Sequence, residues 1–242
     1  MKGKFGIIDV ESQPNAIMIF FDIDQTLINH QQAQDTATLL FLQRFSSLLP
    51  YTLEEFCQCW QTVMEKHFTT FLRGEITFVE HRRRRMKELF QGAESCLADD
   101  EADGRFAIYL QHYEDNWTLF DDVLPCLNVL SNRRLGIITN GNTKQQTKKL
   151  SQTGIATQFD IVVVSEDVGV SKPKPEIFLD ACGRARVKAQ QCIYVGDGLQ
   201  NDALAAVAVG MKGIWLNRED LSYHQVAIPV IKHLDELVAV VS

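Results

Sequence analysis

The chain has 242 residues, enough for one large domain or for a core with a smaller insert. It is 45% hydrophobic and 23% charged, an ordinary balance for a folded protein. The formal net charge of -7 argues against a nucleic-acid polymer as main partner, because phosphate neutralisation needs a positive surface. It leaves room for a small anionic substrate at a locally positive site.

No apolar run approaches the ~20 residues that cross a bilayer. Residues 1–15, MKGKFGIIDVESQPN, carry two lysines but no long apolar segment of the secretory kind. The expectation is a cytoplasmic protein with no membrane partner. Cys57, Cys59, Cys96, Cys126, Cys182 and Cys192 show no CxxC and no framework spacing, so reduced thiols are expected.

Taken in order, Phe5 to Val10 reads as a short extra strand or a loose arm. The stretch IMIFFDIDQTL, Ile17 to Leu27, follows. Its unbroken apolar run predicts a strand buried on both faces, and it ends in Asp22, Asp24 and Thr26. In extended chain the two carboxylates project to one side. Charges that close need a cation or a shared proton, so the pair suggests a metal site or an acid and base of separated pKa. The structural alternative is a cluster that caps the next helix.

Between about 32 and 118 the apolar residues recur at three and four, predicting four amphipathic helices and no strand. Thr52 and Glu55 form a capping-box pattern at the start of the second. The third is expected over Glu75 to Phe90 and the fourth over Asp99 to Trp117. Arg82 to Arg85 read as a solvated helical face. His67 reads as a core or hinge residue, and Phe68, Phe71 and Phe78 as core rather than as a base-stacking surface.

After about 119, strands and helices alternate: helix Asp122 to Asn132, strand Leu135 to Thr139, helix Thr143 to Thr153, strand Ile161 to Val164, helix Glu176 to Arg186, strand Cys192 to Val195, helix Ala203 to Val209, strand Gly213 to Leu216. A short strand near Val230 and a helix from Leu234 finish the chain. This is the pattern of an α/β doubly wound parallel sheet. Residues 1–30 and 119–242 would form that core, and residues 31–118 a helical insert.

Ligands of such sheets bind at the carboxyl ends of the strands. Those ends carry Asp22, Asp24 and Thr26; then Thr139, Asn140 and Gly141; then Lys172; then Asp197 and Asp202. So many polar groups aimed at one edge are improbable as packing alone. The set DxDxT, a threonine, a lysine and GDGLQND, in this order, resembles the haloacid dehalogenase superfamily and spans nearly the whole core. The insert resembles that family's helical cap of the C1 type. LGIITNG, SEDVGVSKPKPEIF and the run Trp215 to Asn217 are similar to its pyrimidine 5'-nucleotidase-like branch.

The resemblance implies a set of roles. Asp22 would be a nucleophile forming an aspartyl-phosphate, and Asp24 the acid and base. Mg²⁺ would sit on the carboxylates of Asp22 and Asp197 and the backbone carbonyl of Asp24. Asp202 would act from behind, orienting waters or Lys172. Lys172 and Thr139, with nearby N–H groups, would hold the phosphoryl oxygens, and Thr26, Asn140 and Gly141 would help bind substrate. Lys172 rather than Lys174 matches the family's lysine. Gly198 stands where relatives often have Ser or Thr.

The implied activity is Mg²⁺-dependent hydrolysis of a small phosphorylated metabolite, with nucleoside 5'-monophosphates the first candidates. Phosphoglycolate or sugar phosphates are alternatives, as are a phosphonatase or a phosphomutase on the same core. A catalytically silent binding module would be expected to lose at least one motif residue, and none is lost. Monomer and homodimer are both open.

Overall fold

In the computed structural model, which describes residues 17–92, 97–222 and 226–241, the first apolar run forms β1 (Met18–Phe21), buried at every position. The short strand or loose arm expected at Phe5 to Val10 and the thiol of Cys96 lie outside the described residues. Five further strands join β1: β2 (Arg134–Thr139), β3 (Ile161–Val164), β4 (Cys192–Gly196), β5 (Lys212–Leu216) and β6 (Val230–Ile231). All pair in parallel, in the order β3-β2-β1-β4-β5-β6. β1 lies between β2 and β4, with Phe21 opposite Ile137 on one side and Val195 on the other. Chain order reverses across β1, so the loops after β1, β2 and β4 leave the sheet side by side.

The described residues divide into two compact units, one within 29–118 and the other made of those up to Ile28 together with those from Leu119 onward. The first holds α1 (His30–Arg44), α2 (Leu53–Leu72), α3 (Phe78–Phe90) and α4 (Asp99–Asp115). Capping sets two of the starts. The Thr52 hydroxyl accepts from Glu55 N while Glu55 accepts from Thr52 N. The Thr77 hydroxyl accepts from Glu80 N, which starts α3 later than the apolar pattern suggests. The core of this unit is aromatic: the Phe41 ring lies 5.5 Å from Trp60, 6.1 Å from Phe90 and 6.3 Å from Tyr109.

Two expectations for this unit need correction. The run Arg82 to Arg85 is only in part a solvated face: Arg84 is exposed, whereas Arg85 is buried and Arg82 half-buried. Arg85 is only 6% exposed and lies 4.7 Å over the Trp60 ring. Arg82 lies 4.4 Å over Phe78 and 4.7 Å over Phe106. Arg83 pairs with Asp103 at 2.6 Å, and Arg84 with Glu80 at 2.6 Å. α3 has few apolar residues, so guanidinium faces cover aromatic rings where leucines would otherwise sit. Phe68 and Phe78, expected in the core, are 39% and 41% exposed and flank a buried His81. His67 is buried, with Nε2 2.7 Å from Glu88.

The other unit completes its layers with α5 (Val123–Val129), α6 (Thr143–Gln152), α7 (Ser165–Val168), α8 (Pro175–Ala185), α9 (Ala205–Ala208) and α10 (Leu237–Val241). Pro175 opens α8, and Arg186 ends it in left-handed backbone. The helix expected over Ala203 to Val209 begins earlier, with a wide turn at Leu199–Leu204 in which Ala203 N–H reaches Gly198 O, five residues back, at 3.3 Å. No helix of the described residues is long and apolar enough to cross a membrane.

Candidate active site

Asp22 continues β1 by one bond, its N–H donating to Val195 O at 3.0 Å. The chain then leaves the strand. Gln25 takes left-handed backbone at φ 59°, and Leu27 and Ile28 N–H both turn back to Ile23 O. The two-residue period of extended chain therefore stops applying, and the two acids meet different lysines. Asp22 meets Lys172 at 2.7 Å, whereas Asp24 meets Lys149 at 2.6 Å.

Lys172 is buried and uses its ammonium on three groups: Asp22 at 2.7 Å, Asp202 at 2.6 Å and the Tyr194 hydroxyl at 2.8 Å. Its backbone is clamped by Asn140, whose Oδ1 accepts from Lys172 N at 2.8 Å and whose Nδ2 donates to Lys172 O at 3.1 Å. The Lys172–Pro173 peptide bond is cis. Lys174 is exposed. Gly141 N–H donates to Ser165 Oγ at 2.9 Å, tying the loop after β2 to α7.

Asp197 is held by its backbone. Its N–H donates to the Thr26 hydroxyl at 3.0 Å, and its carbonyl accepts from Trp215 Nε1 at 2.7 Å. Thr26 is fully buried, so its hydroxyl serves as a fixed link between the first and last acidic loops. Asp202 accepts from Lys172, from the Tyr194 hydroxyl at 3.1 Å and from Gly198 N–H at 2.8 Å. A Cβ at position 198 would stand 2.8 Å from Asp202 Oδ2, so here a backbone N–H holds the carboxylate, and a larger side chain would make Asp202 shift.

Carboxylate oxygens of Asp22, Asp197 and Asp202 lie within 4.8 Å of one another. Burial, helped by repulsion from Asp202 and Asp24, overcomes the attraction of Lys172 and pushes Asp22 up to about 6. Burial and the charges of Asp22 and Asp202 push Asp197 up to about 7. Asp22 and Asp202 keep Lys172 protonated despite burial, raising its pKa. Three crowded acids with one lysine form a hard-oxygen donor set short of positive charge, which fits a divalent cation such as Mg²⁺.

Several residues that sequence reasoning passed over complete the site. Lys149 and Gln146 are each 1% exposed on one face of α6 and both reach Asp24. Gln146 also donates to Thr139 Oγ1 at 2.8 Å. Arg218 donates to both oxygens of Asp122 and to Thr26 O. The lone phenol in the apolar strand Cys192–Gly196 was a usable signal for Tyr194. The others sit in polar stretches that read as surface.

A parallel sheet that reverses at β1, with acids and a buried lysine gathered at that reversal and a helical unit inserted after β1, defines an enzyme with a Rossmann-like core. The profile of the haloacid dehalogenase-like hydrolases matches residues 18–210, and the chain belongs to that family. Among curated relatives it is 29% identical to the pyrimidine 5'-nucleotidase YjjG of Escherichia coli over 201 residues, covering 82% of this chain and 85% of that one. It is 26% identical to the human N-acylneuraminate-9-phosphatase, covering 84% and 83%. Among solved structures, the putative HAD-hydrolase YfnB of Bacillus subtilis, described as bound to magnesium, superposes with a TM-score of 0.76 at 26% identity, covering 93% of this chain and 98% of that one.

Proposed function

We propose that the chain is a Mg²⁺-dependent phosphomonoester hydrolase acting on a small phosphorylated metabolite, with nucleoside 5'-monophosphates the first substrates to try. The observation that carries this reading is the contact of one buried lysine, Lys172, with both Asp22 and Asp202 inside a cluster of three carboxylates. A nucleophile held beside a fixed cation suits attack on a phosphoryl group.

Asp22 Oδ attacks phosphorus, and the bond to the leaving oxygen breaks with its electron pair. Asp24 gives that oxygen a proton. Water then attacks the phosphorus of the aspartyl-phosphate, Asp24 takes a proton from the water, and inorganic phosphate departs from Asp22. Lys172 and Thr139 hold the phosphoryl oxygens. The carboxylates of Asp22 and Asp197, with the backbone carbonyl of Asp24, would hold Mg²⁺, and Asp202 would stand behind them. When bound, the ion screens the repulsion between Asp22 and the anionic phosphoryl group. The nucleotidase and sugar-phosphatase names of the relatives support this reaction class and leave the leaving group open.

Release of phosphate from a panel of nucleotides, sugar phosphates and phosphoglycolate, with Mg²⁺ and with EDTA, tests the proposal. Turnover should need the metal, and Asp22→Asn should abolish it while the protein stays folded. Retained turnover in Asp22→Asn would refute the nucleophile assignment.

A further inference from the structure

The first two turns of α6 follow directly from the loop Thr139, Asn140, Gly141, and Asn142 caps them by accepting from Gln145 N at 3.1 Å. Gln146 and Lys149 lie three residues apart, on one face of the helix. Lysine is almost never fully buried unless it is paired. Here Lys149 Nζ contacts both oxygens of Asp24, at 2.6 and 2.8 Å, and Gln146 Nε2 adds a contact to Oδ2 at 3.2 Å. Contacts to both oxygens fix the rotation of a carboxylate, not only its distance. Gln146 also donates to Thr139 Oγ1. The helix thus holds one acid and one hydroxyl in a common frame. Asp24 is not one of the three clustered acids, Asp22, Asp197 and Asp202, and α6 supplies contacts to both of its carboxylate oxygens.

We propose that Lys149, assisted by Gln146, is a positioning residue for the acid–base carboxylate of Asp24. The assignment rests on the reaction proposed above. It gives the Lys149–Asp24 pair a purpose besides tying the β1 loop to α6. The two purposes predict different kinetics. A group that orients the proton donor matters most when the leaving oxygen is basic. A merely structural tie matters equally for every ester.

The test compares two aryl esters of similar shape. p-Nitrophenyl phosphate has a leaving group that departs without a proton, and phenyl phosphate does not. The rate of the first turnover is measured with Mg²⁺ for the wild type, Asp24→Asn, Lys149→Met and the double variant. Lys149→Met should slow phenyl phosphate by about 100-fold and p-nitrophenyl phosphate by less than about 5-fold, the span expected when general acid catalysis is lost. Asp24→Asn should show the same pattern. Adding Lys149→Met to Asp24→Asn should cost less than about 3-fold more, because residues acting as one unit are not additive. Lys149→Gln removes the ammonium that contacts both oxygens of Asp24 but leaves a polar group in its place, and it carries the same comparison, with the same selective slowing of phenyl phosphate expected, if the methionine variant does not fold.

Equal slowing of both esters by Lys149→Met, or a double variant as slow as the product of the two single effects, overturns the assignment and leaves the proposed reaction standing. An Asp24→Asn enzyme that treats both esters alike overturns the acid–base reading, and the assignment with it.

Discussion

Lys172 and Asp202 form a 2.6 Å ion pair whose two side chains are each 4% exposed. Breaking such a pair leaves a buried charge without compensation, at a cost of about 3–5 kcal/mol. Here Asp22 loses its cation as well. Lys172→Met should therefore lower stability by an amount in that range, in addition to ending turnover. Urea denaturation of the metal-free protein measures it, and a loss under about 1 kcal/mol would contradict the buried-pair account.

The acids make stability fall as pH rises. Asp22 sits at about 6 and Asp197 at about 7, against an ordinary 3.8. The folded protein then binds more protons than the unfolded one between those values. Their contribution is fully present below the unfolded pKa and is lost as pH climbs through 6 and 7. Bound metal competes with those protons, so Mg²⁺ should raise the melting temperature more at pH 8 than at pH 5. Thermal unfolding across this range, with and without Mg²⁺, checks the sign. Asp197→Asn should flatten the slope.

Arg218 joins three parts of the chain. It grips both oxygens of Asp122 at 2.8 and 2.9 Å, donates to Thr26 O at 2.9 Å and lies 4.0 Å over the Phe120 ring. Arg218→Ala should cost about 3 kcal/mol, since the pair is largely buried. It should also raise the Mg²⁺ concentration needed for half-maximal activity, because the Thr26 hydroxyl anchors the Asp197 loop. Unfolding and metal titration of the same variant separate the two effects.

Two glycines predict opposite outcomes. A Cβ on Gly213 would stand 2.1 Å from Ala203 O, a backbone atom next to Asp202. Gly213→Ala should destabilise by at least about 1–3 kcal/mol and impair turnover. Gly104, in the interior of α4, has nothing within 4 Å of its would-be Cβ. Gly104→Ala should stabilise by about 0.5–1 kcal/mol and leave turnover unchanged. Melting curves of the two variants decide this.

The parallel sheet was legible because its strands are short, mostly apolar runs, with β1 and β4 buried at every position, and such runs are read locally. The acidic loops were legible because Asp22, Asp24, Asp197 and Asp202 interrupt or follow those runs, where packing gives no reason for a carboxylate. Arg82 and Arg85 of α3 were misread because a charge run looks the same in sequence whether it faces water or aromatic rings. Phe68 and Phe78 were misread for the converse reason, since helical spacing says which residues share a face but not what covers it.

The order of residues alone determined which strands could exist and which polar groups stand at their ends. Only the tertiary structure decided which lysine serves which acid: Lys172 goes to Asp22, while Lys149, 125 residues along the chain from Asp24, goes to Asp24. It likewise brought the Thr26 hydroxyl to Asp197 across 171 residues. The physical reason is range. Apolar periodicity and capping act over a few residues and leave a local trace, whereas a buried ion pair is selected by the dielectric and geometry of a folded interior, which no short stretch of sequence contains.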